Sequence, residues 1–219
     1  MGAGMITPTA ELTELLQGYR RFREHGWKAG RERWKQLREG QQPRVMVIAC
    51  SDSRVDPAQI FDVSPGEIFV VRNVAALVPP FEETPGRHGV SAALEFAVQF
   101  LKVREVLVMG HGMCGGCQAA LSQQLHGTEP GHGGFVASWI NMLDEVREPI
   151  AHELGTEGRE AERAMEHAAV KVSLENLRTF PCVREKEKGG SLTLRGAYFA
   201  ISDGALHLLD EESGQFKPA

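Results

Sequence analysis

Three short apolar runs constrain this chain more than anything else in it: Arg44-Val-Met-Val-Ile-Ala49, Glu67-Ile-Phe-Val-Val71 and Glu105-Val-Leu-Val-Met109. None alternates polar with apolar residues. Each therefore predicts a strand buried on both faces, as in a parallel sheet covered by helices. Between the second and third runs, Val90, Ala93, Leu94, Ala97 and Leu101 recur at helical spacing within 89–101. Further helices are expected over 141–153 and 160–179, the latter turning Met165, Ala168, Ala169, Val172 and Leu177 inward. Residues 192–201 and 205–209 flank Ser202-Asp-Gly204, which predicts a closing hairpin, and 126–134 reads as a loop. The expected fold class is α/β, a central mostly parallel β-sheet flanked by helices, with an N-terminal helical arm.

That arm is expected over residues 1–40. Leu12, Leu15, Leu16, Tyr19 and Phe22 form an apolar stripe within 11–24, Gly26 follows, and 31–39 is a second charged helical stretch. The stripe can pack on the chain's own core or on a second chain, and the sequence leaves both readings open. Residues 41–219 carry the rest of what reads as a single domain, with no internal repeat and no linker. At 219 residues, 42% hydrophobic and 24% charged, the chain has ample material for a core and is not disordered. A net charge of −5 argues against a nucleic-acid or anionic-membrane partner. No apolar run approaches the ~20 residues that span a bilayer, and residues 1–10 lack a signal-peptide pattern, so the expected compartment is cytoplasmic.

Four cysteines, Cys50, Cys114, Cys117 and Cys182, are too few and too uneven for a disulfide scaffold. Any one of them alone is most simply a small buried hydrophobe. Two stand out by position. Cys50-Ser-Asp-Ser-Arg54 begins at the carboxyl end of the first run, and His111-Gly-Met-Cys114 at the carboxyl end of the third. Ligands of open α/β sheets bind beyond such ends, so both motifs face one site. Two thiolates and an imidazole suit zinc, and three protein ligands leave the open fourth position of a catalytic ion. Asp52 and Arg54, two residues apart, can form a forked ion pair that keeps the carboxylate ionised and oriented. Cys117 completes Cys-Gly-Gly-Cys, so a closed Cys3His structural zinc in a non-catalytic protein stays as an alternative. Cys182 reads as incidental, and His126 and His132 as solvated loop residues.

Here the chain resembles the β-class carbonic anhydrases. The resemblance rests on Cys50-Ser-Asp-Ser-Arg-Val-Asp-Pro57, Pro65-Gly-Glu-Ile-Phe-Val-Val-Arg-Asn73, Gly89-Val-Ser-Ala-Ala-Leu-Glu-Phe-Ala97 and Gly110-His-Gly-Met-Cys-Gly-Gly116, and covers roughly residues 10–210. It implies reversible hydration of carbon dioxide to bicarbonate on one Zn2+ per chain, held by Cys50, His111 and Cys114. Asp52 with Arg54 would orient the zinc-bound hydroxide. It further implies a substrate pocket with Gln41, Phe69, Val74, Phe96 and the Gly115 backbone N–H, where Phe96 replaces the tyrosine of plant-type members. Some of that wall would come from a neighbouring chain, in a homodimer or dimer of dimers. Hydrolysis of carbon disulfide or carbonyl sulfide on the same ligands stays as an alternative substrate reading. Some members switch to a state in which the aspartate displaces water from zinc, with bicarbonate in a pocket built on a tryptophan and an arginine. Here Arg72 is present but Val47 takes the tryptophan's place, which implies the permanently open type.

Overall fold

The computed structural model describes residues 8–84 and 86–219, and these divide into two compact units, one ending at Gln41 and one beginning at Gln42. In the first unit, Thr9 caps the helix Ala10–Arg21 by accepting from the Leu12 N–H. The helix runs on through a π-helical turn, Phe22–Gly26, and a last turn, Trp27–Ala29. Gly26 therefore does not interrupt it. The bend falls at Gly30, whose φ of −87° and ψ of 14° leave the helical region before a short helix, Arg31–Leu37. Aromatic rings hold this bend: Trp27 stacks on Trp34 at 5.1 Å, and Phe22 meets Trp34 edge-on at 5.9 Å. No residue of these helices is buried.

The second unit is built on one six-stranded sheet. Its strands are β1 (Val45–Cys50), β2 (Ile68–Asn73), β3 (Glu105–His111), β4 (Thr193–Ala200), β5 (Ala205–Asp210) and β6 (Gln215–Pro218), in the order β2-β1-β3-β4-β5-β6. The first four are mutually parallel, and β5 and β6 return antiparallel. This is the α/β architecture expected from the three apolar runs. Central position explains their composition: Met46, Val47, Ile48 and Ala49 of β1 are buried between two neighbouring strands and two covered faces. β2 departs from the expectation. It lies at the edge, only half-buried, with Val70 exposed. The four-residue strand β6 lies outside the expected elements, because Gln-Phe-Lys-Pro is too short and polar to announce itself. Its proline is tolerated since an edge strand need not donate on both sides.

Helices cover the sheet much as their periodicity indicates. Residues 89–101 pack Leu94, Ala97 and Val98 on Met46, Ile48, Val106 and Val108, although the segment changes from α-helix to π-helix at Phe96. The long helix Arg159–Thr179 buries Met165, Ala169, Val170, Leu174 and Leu177, with Ala168 and Val172 half-buried. Two polar residues, Glu166 and Ser173, lie on the same buried face. Ser173 Oγ accepts from the Val78 N–H, which ties the stretch after β2 to this helix. The helices Gly134–Ile140 and Pro181–Lys188 were not expected. No helix among the described residues is long and apolar enough to cross a membrane.

Candidate metal centre

Cys50 is the last residue of β1 and His111 the last of β3, and these strands are adjacent and parallel. Cys114 caps the helix Gly115–Ser122. Topology thus brings the two motifs together at one end of the sheet. The two sulphurs stand 3.9 Å apart, and with a His111 ring nitrogen they form a group whose ligand atoms all lie within 4.8 Å of one another. All three residues are buried. His111 Nδ1 is 2.9 Å from the Gly112 carbonyl, which can only accept, so Nδ1 carries the proton and Nε2 keeps its lone pair. That Nε2 is buried without a hydrogen-bond partner.

This donor set fits a zinc ion. Tetrahedral ligands about 2.3 Å from zinc are separated by about 3.8 Å, close to the sulphur separation here. An orphaned imidazole nitrogen beside two buried thiols is costly unless something binds it. Without a cation the thiols hold their protons tightly: the Cys114 sulphur beside it and burial push Cys50 up to about 12, and the Cys117 thiol does the same for Cys114. A divalent ion replaces those protons. Cys117 is buried next to Cys114, but it is not part of the three-ligand group. All four cysteines are unpaired.

Asp52 and Arg54 sit on the loop just beyond Cys50. Arg54 Nε and Nη2 donate to the two Asp52 carboxylate oxygens at 2.9 and 2.7 Å, and the Arg54 N–H adds a third bond at 2.9 Å. The guanidinium holds this carboxyl well below the usual carboxylate range. Arg72, from the end of β2, fastens the loop from beneath. It donates to the Cys50 carbonyl at 2.9 Å, to the Asp52 carbonyl at 2.6 Å and to the Asp56 carboxylate at 3.1 Å. Val47 is buried within β1.

The expected pocket residues fall into separate places. Gly115 opens the helix after Cys114, where its N–H is one of the first-turn donors that lack an intrahelical acceptor. Val74 packs against the start of that helix, so closely that a Cβ on Gly116 would lie 2.7 Å from the Val74 methyl. Its carbonyl accepts from Trp139 Nε1 at 2.8 Å. Phe69 is in register with Met46, four residues back from Cys50, or about 13 Å along the strand. It touches Phe96, and Phe96 stacks on Phe100. These rings are therefore apart from the metal group of their own chain. Gln41 closes the N-terminal unit and is exposed.

Sequence reasoning missed Glu166. It is 2% exposed, and its carboxylate accepts from the Cys114 N–H at 3.2 Å and from the Tyr198 O–H at 2.8 Å. The available signal was a single acid on the inward face of an otherwise apolar helix.

An α/β protein with two thiolates and an imidazole at adjacent strand ends is a class defined by its metal site. Comparison places it further. Residues 45–206 match the model of the carbonic anhydrase family. A carbonic anhydrase of Pseudomonas aeruginosa is 35% identical over 206 residues, 94% of this chain and 90% of that one. The chloroplastic β carbonic anhydrase 5 of Arabidopsis thaliana is also 35% identical, over 87% of this chain and 62% of the plant protein. Among solved structures, the β-carbonic anhydrase CcaA superposes with a TM-score of 0.88 at 29% identity, covering 96% of this chain and all of that one. One of two tetrameric β-carbonic anhydrases of Sordaria macrospora gives 0.79 at 28%, over 92% and 98%. The chain belongs to the β-carbonic anhydrase family, whose members use zinc.

Proposed function

We propose that this protein catalyses the reversible hydration of carbon dioxide to bicarbonate, with Cys50, His111 and Cys114 as ligands of one zinc ion and Asp52 with Arg54 as the catalytic dyad. The observation that carries this reading is the buried Cys50–His111–Cys114 group beside a forked Asp52–Arg54 pair. Zinc, when bound, supplies a Lewis acid that brings the pKa of water toward neutrality. The chain's residues do the rest. Arg54 favours the ionised form of Asp52. Asp52 accepts the hydrogen of the attacking oxygen and so aims its lone pair at the substrate carbon. The Gly115 N–H offers a donor to a substrate oxygen, and Val74 an apolar wall suited to a molecule without a dipole.

Self-association belongs to the same reading, as a dimer or a dimer of dimers. The Sordaria macrospora relatives are tetrameric. Leu12, Leu15, Leu16, Tyr19 and Phe22 are all exposed, and so are Phe96 and Phe100. A second copy that brought Phe69, Phe96 and Gln41 to the metal group of its neighbour would complete the pocket. The protein works in the open state, because Asp52 is tied to Arg54, Arg72 is fully engaged by the Cys50 loop, and Val47 offers no donor to an anion. A reducing, cytoplasmic setting keeps the two ligand thiols available. Stopped-flow measurement of carbon dioxide hydration, with zinc determined on the same sample, tests the proposal. Activity proportional to zinc supports it, and a zinc-loaded, inactive protein refutes it.

A further inference from the structure

We infer that Glu166 is a positioning residue of the metal centre: with Arg54 it holds the two ends of the Met113–Cys114 peptide group and so fixes the direction of the Cys114 side chain. The inference rests on the ligand set proposed above. Met113 lies between the ligands His111 and Cys114 and has a φ of 58°, the left-handed region that a residue with a side chain enters only at a cost. A loop held in such a conformation reverts by rotating the adjoining peptide plane unless both polar ends of that peptide are anchored. They are. The Met113 carbonyl accepts from Arg54 Nη2 at 3.0 Å, and the N–H of the same peptide, on Cys114, donates to Glu166 Oε1 at 3.2 Å.

Arg54, the peptide and Glu166 thus form a chain of hydrogen bonds, and each bond polarises the peptide in the sense that strengthens the other. Rotation of the plane would point the N–H at a guanidinium and the carbonyl at a carboxylate. Because Arg54 also grips Asp52, the clamp links the orientation of the third ligand to that of the dyad. Glu166 is itself held in place. Tyr198 donates to its second oxygen at 2.8 Å, and Arg159 stands 3.6 Å from the first. The Tyr198 hydroxyl in turn crowds Gly112, where a Cβ would lie 2.9 Å from it. A carboxyl group buried to this depth is costly unless its polar atoms are bonded, and both Glu166 oxygens are.

The test compares zinc-loaded wild type with Glu166→Gln and Glu166→Leu by zinc release to a chromophoric chelator, by the visible spectrum after cobalt substitution, and by the amide NMR signal of Cys114. Glutamine still offers an oxygen to the Cys114 N–H, and Tyr198 can turn to accept from its amide. E166Q should therefore release zinc at nearly the wild-type rate and keep the cobalt–thiolate band. E166L removes the acceptor, and zinc release should rise about 10–100-fold, the usual cost of losing a group that orients a ligand. The band should shift with it. In the wild type the Cys114 amide proton should lie downfield and exchange slowly, a readout that stands even if E166L does not fold. Equal release from wild type and E166L, or an E166Q as impaired as E166L, or a freely exchanging Cys114 amide, would each overturn the clamp. A wild type without a cobalt–thiolate band would refute the ligand set and the clamp with it, whereas an intact band with equal release rates refutes the clamp alone.

Discussion

In β1, every residue from Met46 to Cys50 is buried, whereas in the helix Ala10–Arg21 none is, and Leu15 is 72% exposed. β1 is apolar throughout, whereas the helix sets its apolar residues in one stripe among charged ones, and only the first is covered within the chain. The second unit closes a core around its sheet and places the metal group inside one of its packed clusters. The first holds its bend with Phe22, Trp27 and Trp34 and leaves its stripe uncovered. The metal group therefore lies in a unit that buries its own core, while the first unit leaves an apolar stripe exposed.

The sharpest break in that division is expected at the ligands. Cys50→Ala or Cys114→Ala should leave zinc at roughly a tenth of wild type or less, because three ligands cannot lose one without losing most of the affinity. Metal analysis and hydration assays on one sample would check this, and the arm-dependent assembly should survive. Asp52→Asn is next. Zinc content should be unchanged, while kcat falls about 10²–10⁴-fold, the usual worth of a positioned proton acceptor. A double substitution, Leu15→Glu with Tyr19→Glu, should do the reverse. Zinc content and the circular dichroism of the second unit should persist, while light scattering falls toward the 24 kDa of one chain.

The smallest effect concerns acid stability. Burial, aided by Arg163 and Lys171, lowers His167 to about 4, so the folded state binds its proton less readily than the unfolded chain at about 6.5. The stability this neutral histidine contributes is complete above about 6.5 and is lost as the pH falls toward 4. His167→Phe, which can keep the stack on Phe216, should flatten that limb of the stability curve in denaturant titrations.

Much of this was legible because burial and chemistry left marks in composition. Unbroken apolar runs identified β1 and β3 as interior strands, and their carboxyl ends pointed to the Cys50–His111–Cys114 group. β2 carries the same kind of run yet lies half-buried at the sheet edge, since an apolar run marks a strand without fixing how many neighbours it has. β6 is four residues long and sets only Phe216 against the rings of His167 and Tyr198, too little to read from pattern. The helix Pro181–Lys188 did carry a signal, a proline at its first turn, which the neighbouring Cys182 obscured. Glu166 was illegible for another reason. Its partners, the Cys114 N–H and Tyr198, lie 52 and 32 residues away, and only the fold brings them together.

In the proposed reaction, zinc held by Cys50, His111 and Cys114 acts together with Asp52. Stopped-flow hydration of carbon dioxide by the wild type and Asp52→Asn, each normalised to its measured zinc, tests that coupling most directly. Activity proportional to zinc in the wild type, and a loss of about 10²–10⁴-fold per zinc in the variant, is the expected result. Equal activity per zinc in the two proteins, or a fully loaded wild type that does not hydrate carbon dioxide, would contradict it.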